Sequence, residues 1–123
     1  DHVGIVAEER SLLEATAQEI TRKLRAEHPS AVILLVMDAD RRRMYESRSR
    51  PEPLRDVSIW EAACRQNDCE FLDLTDAFWA AYRADGRQLD LPSNYHWNQH
   101  GMAIVARAIA KRLRAVMPPA MSS

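Results

Sequence analysis

A chain of 123 residues with 46% hydrophobic and 28% charged side chains is sized for one domain with a real core. Its net charge of −1 sets up no basic field for nucleic acid or an anionic membrane. The longest apolar run, Ala31 to Met37, is far too short for a transmembrane segment.

Arginine outnumbers lysine 15 to 2, which reads as codon bias rather than function. The chain opens Asp1-His2-Val3, without a Met start or a signal peptide, and so reads as a processed or truncated piece of something longer. Cys64 and Cys69 stand at C-x4-C, which is neither a redox nor a zinc spacing. Two unpaired thiols, one of them buried, are the expectation. A short-loop disulfide is the alternative and would imply an oxidising, extracytoplasmic or periplasmic setting.

The first predicted element is an amphipathic helix over residues 8–28, with Leu13, Ala17, Ile20 and Leu24 on one stripe. Acidic residues precede basic ones along it, as the helix dipole favours, and Pro29 stops it. Residues 31–37 form an unbroken apolar, β-branched run, the pattern of a parallel strand buried on both faces. A long polar loop is expected from Asp38 to about Val57, carrying Arg41-Arg42-Arg43. Because it leaves the C-terminal end of a parallel strand, it is placed to act as a substrate flap for anionic groups. The plainer reading is a solvated loop.

A second helix is predicted from Ser58 to Gln66, with Ser58 and Glu61 as a capping box and Ile59, Trp60, Ala63 and Cys64 on its packing face. Glu70 to Leu74 reads as a second short strand. A third helix, capped by Thr75 or Asp76, carries Phe78, Trp79 and Tyr82, and Asp85-Gly86 is a turn. The last helix runs from about Gln99 to Val116, with a core stripe of Met102, Val105, Ile109, Leu113 and Val116. Two parallel strands cannot make a stable doubly wound sheet alone. Either residues 3–7 hide a third strand, or the missing strands come from chain that is not here. Residues 1–117 are taken as one partial α/β domain and 118–123 as a tail.

Chemically useful side chains crowd into Ser93 to Gly101, just before the last helix. His96 there suits a general base held on a short loop pinned to a rigid element. A general base needs a partner on its other ring nitrogen, and Asn94, two residues earlier, can offer its amide oxygen. Asp38 and Asp40 invite a divalent ion less than they invite ordinary strand-end roles, and Asp73 suits capping of the third helix. Trp97 suits packing under the histidine loop better than lining an acyl or sugar subsite, and His100 reads as exposed.

Pro92-Ser93-Asn94-Tyr95-His96-Trp97-Asn98-Gln99-His100-Gly101 and the alanine-rich helix after it resemble the last conserved block of the SGNH/GDSL hydrolase superfamily. That block carries Asp-x-His or Asp-x-x-His, often followed by Trp-Asn, and its histidine is the general base of a Ser-His-Asp triad. The resemblance covers essentially the whole chain as the C-terminal part of that fold. It implies an α/β, flavodoxin-like three-layer αβα domain with a parallel sheet, in a bacterial esterase or acyltransferase. Small acyl esters, often O-acetyl groups on carbohydrate, are the implied substrates, with neither metal nor cofactor required. His96 and Asn94 are then the catalytic candidates, and Trp97 and Arg41 the substrate-binding ones.

Three departures qualify the resemblance. Asn94 stands where the triad Asp is expected, and Asp90 can substitute only if the loop folds back. No serine lies within two residues of Gly4, Gly86 or Gly101, so no nucleophile elbow is identifiable. The family's oxyanion-hole blocks, which precede the first helix, are also missing. The expectation is that the nucleophile and oxyanion hole lie upstream, in the missing N-terminal part of the fold. The competing reading is a non-catalytic binding or assembly module that has lost its charge relay.

Overall fold

The computed structural model describes residues 2–118, with side chains described from residue 7 onward. Its elements are α1 (His2–Glu27), β1 (Leu34–Met37), α2 (Arg41–Ser47), α3 (Val57–Gln66), β2 (Glu70–Asp73), α4 (Thr75–Asp85) and α5 (Gln99–Val116). The two strands form one two-stranded sheet. Glu70 N–H donates to Ile33 O at 2.7 Å and Leu74 N–H to Met37 O at 3.0 Å. Both partner numbers rise together, so the pairing is parallel. Helices with a parallel sheet make this an α/β chain. Residues 3–7 are not a strand but part of α1. Residues 119–123 of the expected tail lie outside the described residues.

The described residues form two compact units, one comprising residues 2–36 and 55–71 and the other residues 37–54 and 72–118. In the first, α1 packs on α3 around Ala17, Ile59 and Ala63, with Leu13 and Trp60 against them. The buried stripe of α1 is turned slightly from the expected one. Thr21 is fully buried and Ile20 is 42% exposed. A threonine can take that place because its hydroxyl is satisfied. It donates to the Ala17 carbonyl at 2.8 Å and accepts from Asn67 Nδ2 at 2.9 Å. Alanine at both 17 and 63 keeps the facing surfaces small where the helices meet. Past the end of α1, the Arg25 guanidinium donates to the carbonyls of His28, Ala31 and Asp68 at 3.1, 2.9 and 2.7 Å. One side chain thus ties the turn after α1 to the turn after α3.

The start of α3 corrects the expected capping box. The helix begins at Val57, and Asp56 caps it without a side-chain bond. Asp56 is already in the right-handed helical region, and its carbonyl accepts from Ile59 and Trp60, both at 3.1 Å. Nothing is left there for Ser58 to cap. Cys64 and Cys69 are free thiols, and both are buried. Burial pushes the Cys64 thiol up from its ordinary 9.0 to about 11, with the neighbouring Cys69 adding to the effect. The protonated thiol is therefore favoured by the fold. This contribution is complete below the unfolded value and is lost as pH rises through about 11. At pH 8 the native protein should take up iodoacetamide at Cys64 far more slowly than the urea-unfolded chain, as peptide mass mapping would show. Equal rates would contradict the burial.

The second unit holds α2, α4 and α5. The predicted long loop contains α2, whose two buried residues are Arg41 and Met44. Asp40 caps it, accepting from Arg43 N–H at 3.1 Å. Arg48 closes it in the left-handed region with its N–H on Met44 O at 2.8 Å. Asp73 starts α4 by accepting both the Thr75 N–H at 2.9 Å and its hydroxyl at 2.7 Å, the structural role the sequence favoured. Gly86 ends α4 at φ +68°, with its N–H on Tyr82 O at 2.7 Å. The helix α5 has the expected bounds. Gly101, Ile104 and Val105 make its buried face, whereas Met102 is 59% exposed.

Candidate active site

The histidine block occupies the turn between α4 and α5, wholly within the second unit. Its frame is set by one asparagine. Asn98 caps α5 by accepting the Gly101 N–H at 2.8 Å. Its Nδ2 donates to the carbonyls of Gln88 at 2.8 Å and Asp90 at 3.2 Å. Backbone bonds complete the closure, with Asn98 N–H on Leu89 O at 2.8 Å and Leu91 N–H on His96 O at 2.9 Å. Asp90 and Trp97 thereby form an antiparallel bridge, from which residues 91–96 project as a closed loop.

The loop does fold back, as any role for Asp90 required. Its carboxylate, however, is already engaged. Asp90 Oδ1 accepts from Arg41 Nη1 and, at 3.1 Å, from the Tyr45 hydroxyl. Arg41 is 8% exposed, with its remaining donors on Asp38, through Nε at 3.1 Å and Nη2 at 2.9 Å, and on the Tyr95 carbonyl at 2.5 Å. Tyr45 also accepts the Leu89 N–H at 3.0 Å, and burial raises its phenol above the usual range. Asp38 therefore orients Arg41, and Asp40 caps α2. Among the described residues no group of three or more His, Cys, Asp or Glu is arranged to hold a metal ion.

The four sequence candidates fall in different positions. The His96 side chain is exposed at the closing end of the loop, next to the bridge residue Trp97. Asn94 does sit beside it, but its amide oxygen accepts the His96 backbone N–H at 2.9 Å, an Asx turn that shapes the loop. Trp97 is half-buried, edge-on to Phe78 with ring centroids 6.2 Å apart, and its buried Nε1 has no acceptor among the described residues. Arg41 is the centre of the buried ion cluster beneath the loop. Sequence reasoning missed Tyr45 as a support of the loop and considered Asp90 only as a substitute for the triad Asp. Only Asn98 carried a signal, as the N-cap. His100 is less exposed than expected, with 16% of its side chain accessible and Nε2 3.8 Å from Asp85 Oδ2.

A groove beside the loop is lined by Tyr45, Gln88, Leu91, Pro92 and Tyr95 among others, with a volume of about 510 Å³. That is space for a small polar ligand with an aromatic wall. On the outer side, the Arg42 guanidinium lies 5.9 Å from the centre of the exposed Tyr95 ring.

Gly101 is where α5 comes closest to the chain before the loop. A Cβ there would meet the Leu89 carbonyl oxygen at 2.4 Å and Trp97 Cβ at 3.3 Å. The obstacle is backbone and cannot rotate away. Gly101→Ala should therefore destabilise the protein by about 1–3 kcal/mol, through displacement of α5 from the loop. Urea denaturation checks this, and an unchanged midpoint would mean that the close approach is not maintained in solution.

Residues 6–122 match the family described as "SGNH hydrolase-like domain, acetyltransferase AlgX". No curated protein and no solved structure matches the chain.

Proposed function

The chain belongs to the SGNH hydrolase-like, acetyltransferase AlgX family, and from that premise we propose that it supplies the general-base histidine of an acyl-transfer site. The observation that carries this is His96 itself, exposed on a loop closed by the Asp90–Trp97 bridge and anchored to the cap of α5. A base must meet substrate and hold its place, and this loop meets both conditions.

In this reading a serine hydroxyl from chain outside these residues attacks the carbonyl of a small acyl ester, an acetyl ester of carbohydrate in the first instance. His96 takes the serine proton and returns it to the departing alcohol. A second hydroxyl, from an acceptor or from water, then attacks the acyl-serine. His96 takes its proton and gives it back to serine as the new ester or acid leaves. Asn94 shapes the loop and, being neutral, offers no charge to an imidazolium. Trp97 packs the loop's base beside the bound ester. Arg41 contributes from beneath the loop, while Arg42 and Tyr95 face an anionic or sugar-like substrate.

The same reading takes residues 1–117 as one partial α/β domain of the three-layer, flavodoxin-like kind. Both strands are only half-buried along their length, which supports further strands and covering helices from the parent chain.

A second reading, a binding or assembly module, is favoured by Asn94 alone. Acetyl-ester turnover by the intact protein separates the two. The enzyme reading expects measurable turnover that rises about tenfold or more in Asn94→Asp, because a carboxylate can stabilise the charged imidazole. No turnover in either form, with carbohydrate binding retained, would establish the module instead.

A further inference from the structure

We infer that Arg41 is a positioning residue for His96, because its guanidinium clamps the histidine loop on both sides of that residue. The geometry stands on its own, and its kinetic consequence rests on the acyl-transfer reading above. One arm of the fork, Nη2, donates to the carbonyl of Tyr95, immediately before His96. The other arm, Nη1, holds the carboxylate of Asp90, whose backbone bridges to Trp97, immediately after His96. Asp38, following the last residue of β1, fixes the fork in turn through Nε at 3.1 Å and Nη2 at 2.9 Å. The imidazole's backbone is therefore tied to the end of the sheet by a single planar group.

Tyr45 reinforces the same point. It lies four residues after Arg41, one turn along α2, and donates to the same Asp90 oxygen at 3.1 Å while accepting the Leu89 N–H at 3.0 Å. This accounts for a helix as short as α2, which presents an arginine and a tyrosine to one carboxylate. A substrate-binding arginine would have donors to spare and access to solvent. This one is 8% exposed and has Nε, Nη1 and Nη2 all committed to protein acceptors. Lysine cannot replace it, since an ammonium directs its donors from one point and cannot span two carboxylates and a carbonyl in one plane.

Two variants that keep most of the packing test the clamp in the intact protein. Arg41→Lys keeps the charge, and Tyr45→Phe keeps the ring edge against Tyr82, 5.2 Å between centroids. Arg41→Lys is expected to lower kcat for acetyl-ester turnover about tenfold to a hundredfold, the scale on which misplaced reacting groups act, with KM little changed. Tyr45→Phe should move kcat in the same direction by less. Amide hydrogen exchange should quicken in both variants at Leu91, His96 and Asn98, whose N–H groups close the loop. Quickened exchange there in a protein without wild-type turnover would uphold the clamp and reject the acyl-transfer reading. Unchanged loop exchange in both variants, a rise in KM alone, or lost thermal stability with kcat per folded molecule intact would each overturn the positioning role.

Discussion

His96→Ala in the intact protein should cut acetyl-ester turnover by about 10³–10⁴-fold while leaving the fold intact. The magnitude follows from what a positioned base contributes, and from the larger loss seen when a serine's proton has no acceptor at all. The fold should survive because the His96 side chain is exposed and the loop is held by backbone and by neighbours. Its carbonyl accepts from Leu91 and its N–H donates to Asn94, and neither bond involves the imidazole. The loss should fall on kcat, since a base takes its proton in the transition state and contributes little to ground-state binding. Steady-state kinetics beside a thermal melt make the comparison. Full turnover in the variant would remove His96 from the chemistry, and the acyl-transfer assignment with it.

The second large effect concerns stability. Arg41→Ala is expected to cost about 3–5 kcal/mol, the range for breaking one side of a buried ion pair. The Arg41 and Asp90 side chains are 8% and 10% exposed, so Asp90 would lose its cationic partner in a site that water reaches poorly. Asp38 is 35% exposed and would recover solvation more easily. The Tyr95 carbonyl would also lose its donor. For a chain of this size the melting temperature should fall on the order of 10 °C. Replacing Arg41 and Asp90 together by apolar residues of similar volume should recover much of that loss, since only the better-solvated Asp38 is then left without its partner. A single variant as stable as the parent would show that the cluster is solvated rather than buried.

Legibility of the fold followed the kind of signal each element carries. The helix α5 announces itself through an N-cap asparagine, an apolar period and basic residues in its last turns, and its bounds match the expectation. In α2, despite its Asp40 cap, the apolar period and the basic last turn are missing. Its inward face is Arg41 and Met44, so a run of arginines reads as a solvated loop unless the partner of the buried arginine is known. That partner, Asp90, stands 49 residues away, beyond the reach of any local pattern. In α1 a threonine replaced the expected isoleucine on the buried face, because its hydroxyl found acceptors along its own helix. Chemically, the histidine stood out through its motif, which is what the proposed role as a base rests on in sequence. Its supports did not, because an arginine, a tyrosine and an aspartate look the same in sequence whether they face substrate or hold a loop.

The bonds of Asn98 have a practical consequence. One amide side chain closes the segment on itself, reaching back to Gln88 and Asp90 and forward to Gly101. The histidine is thus carried by a cassette, Gln88 to Gly101, whose shape is set largely from within and needs only a helix to follow and an arginine fork beneath. A protein engineer moving this histidine loop to another α/β scaffold would transplant that whole stretch. Bringing His96 with its immediate neighbours alone would leave the staple behind.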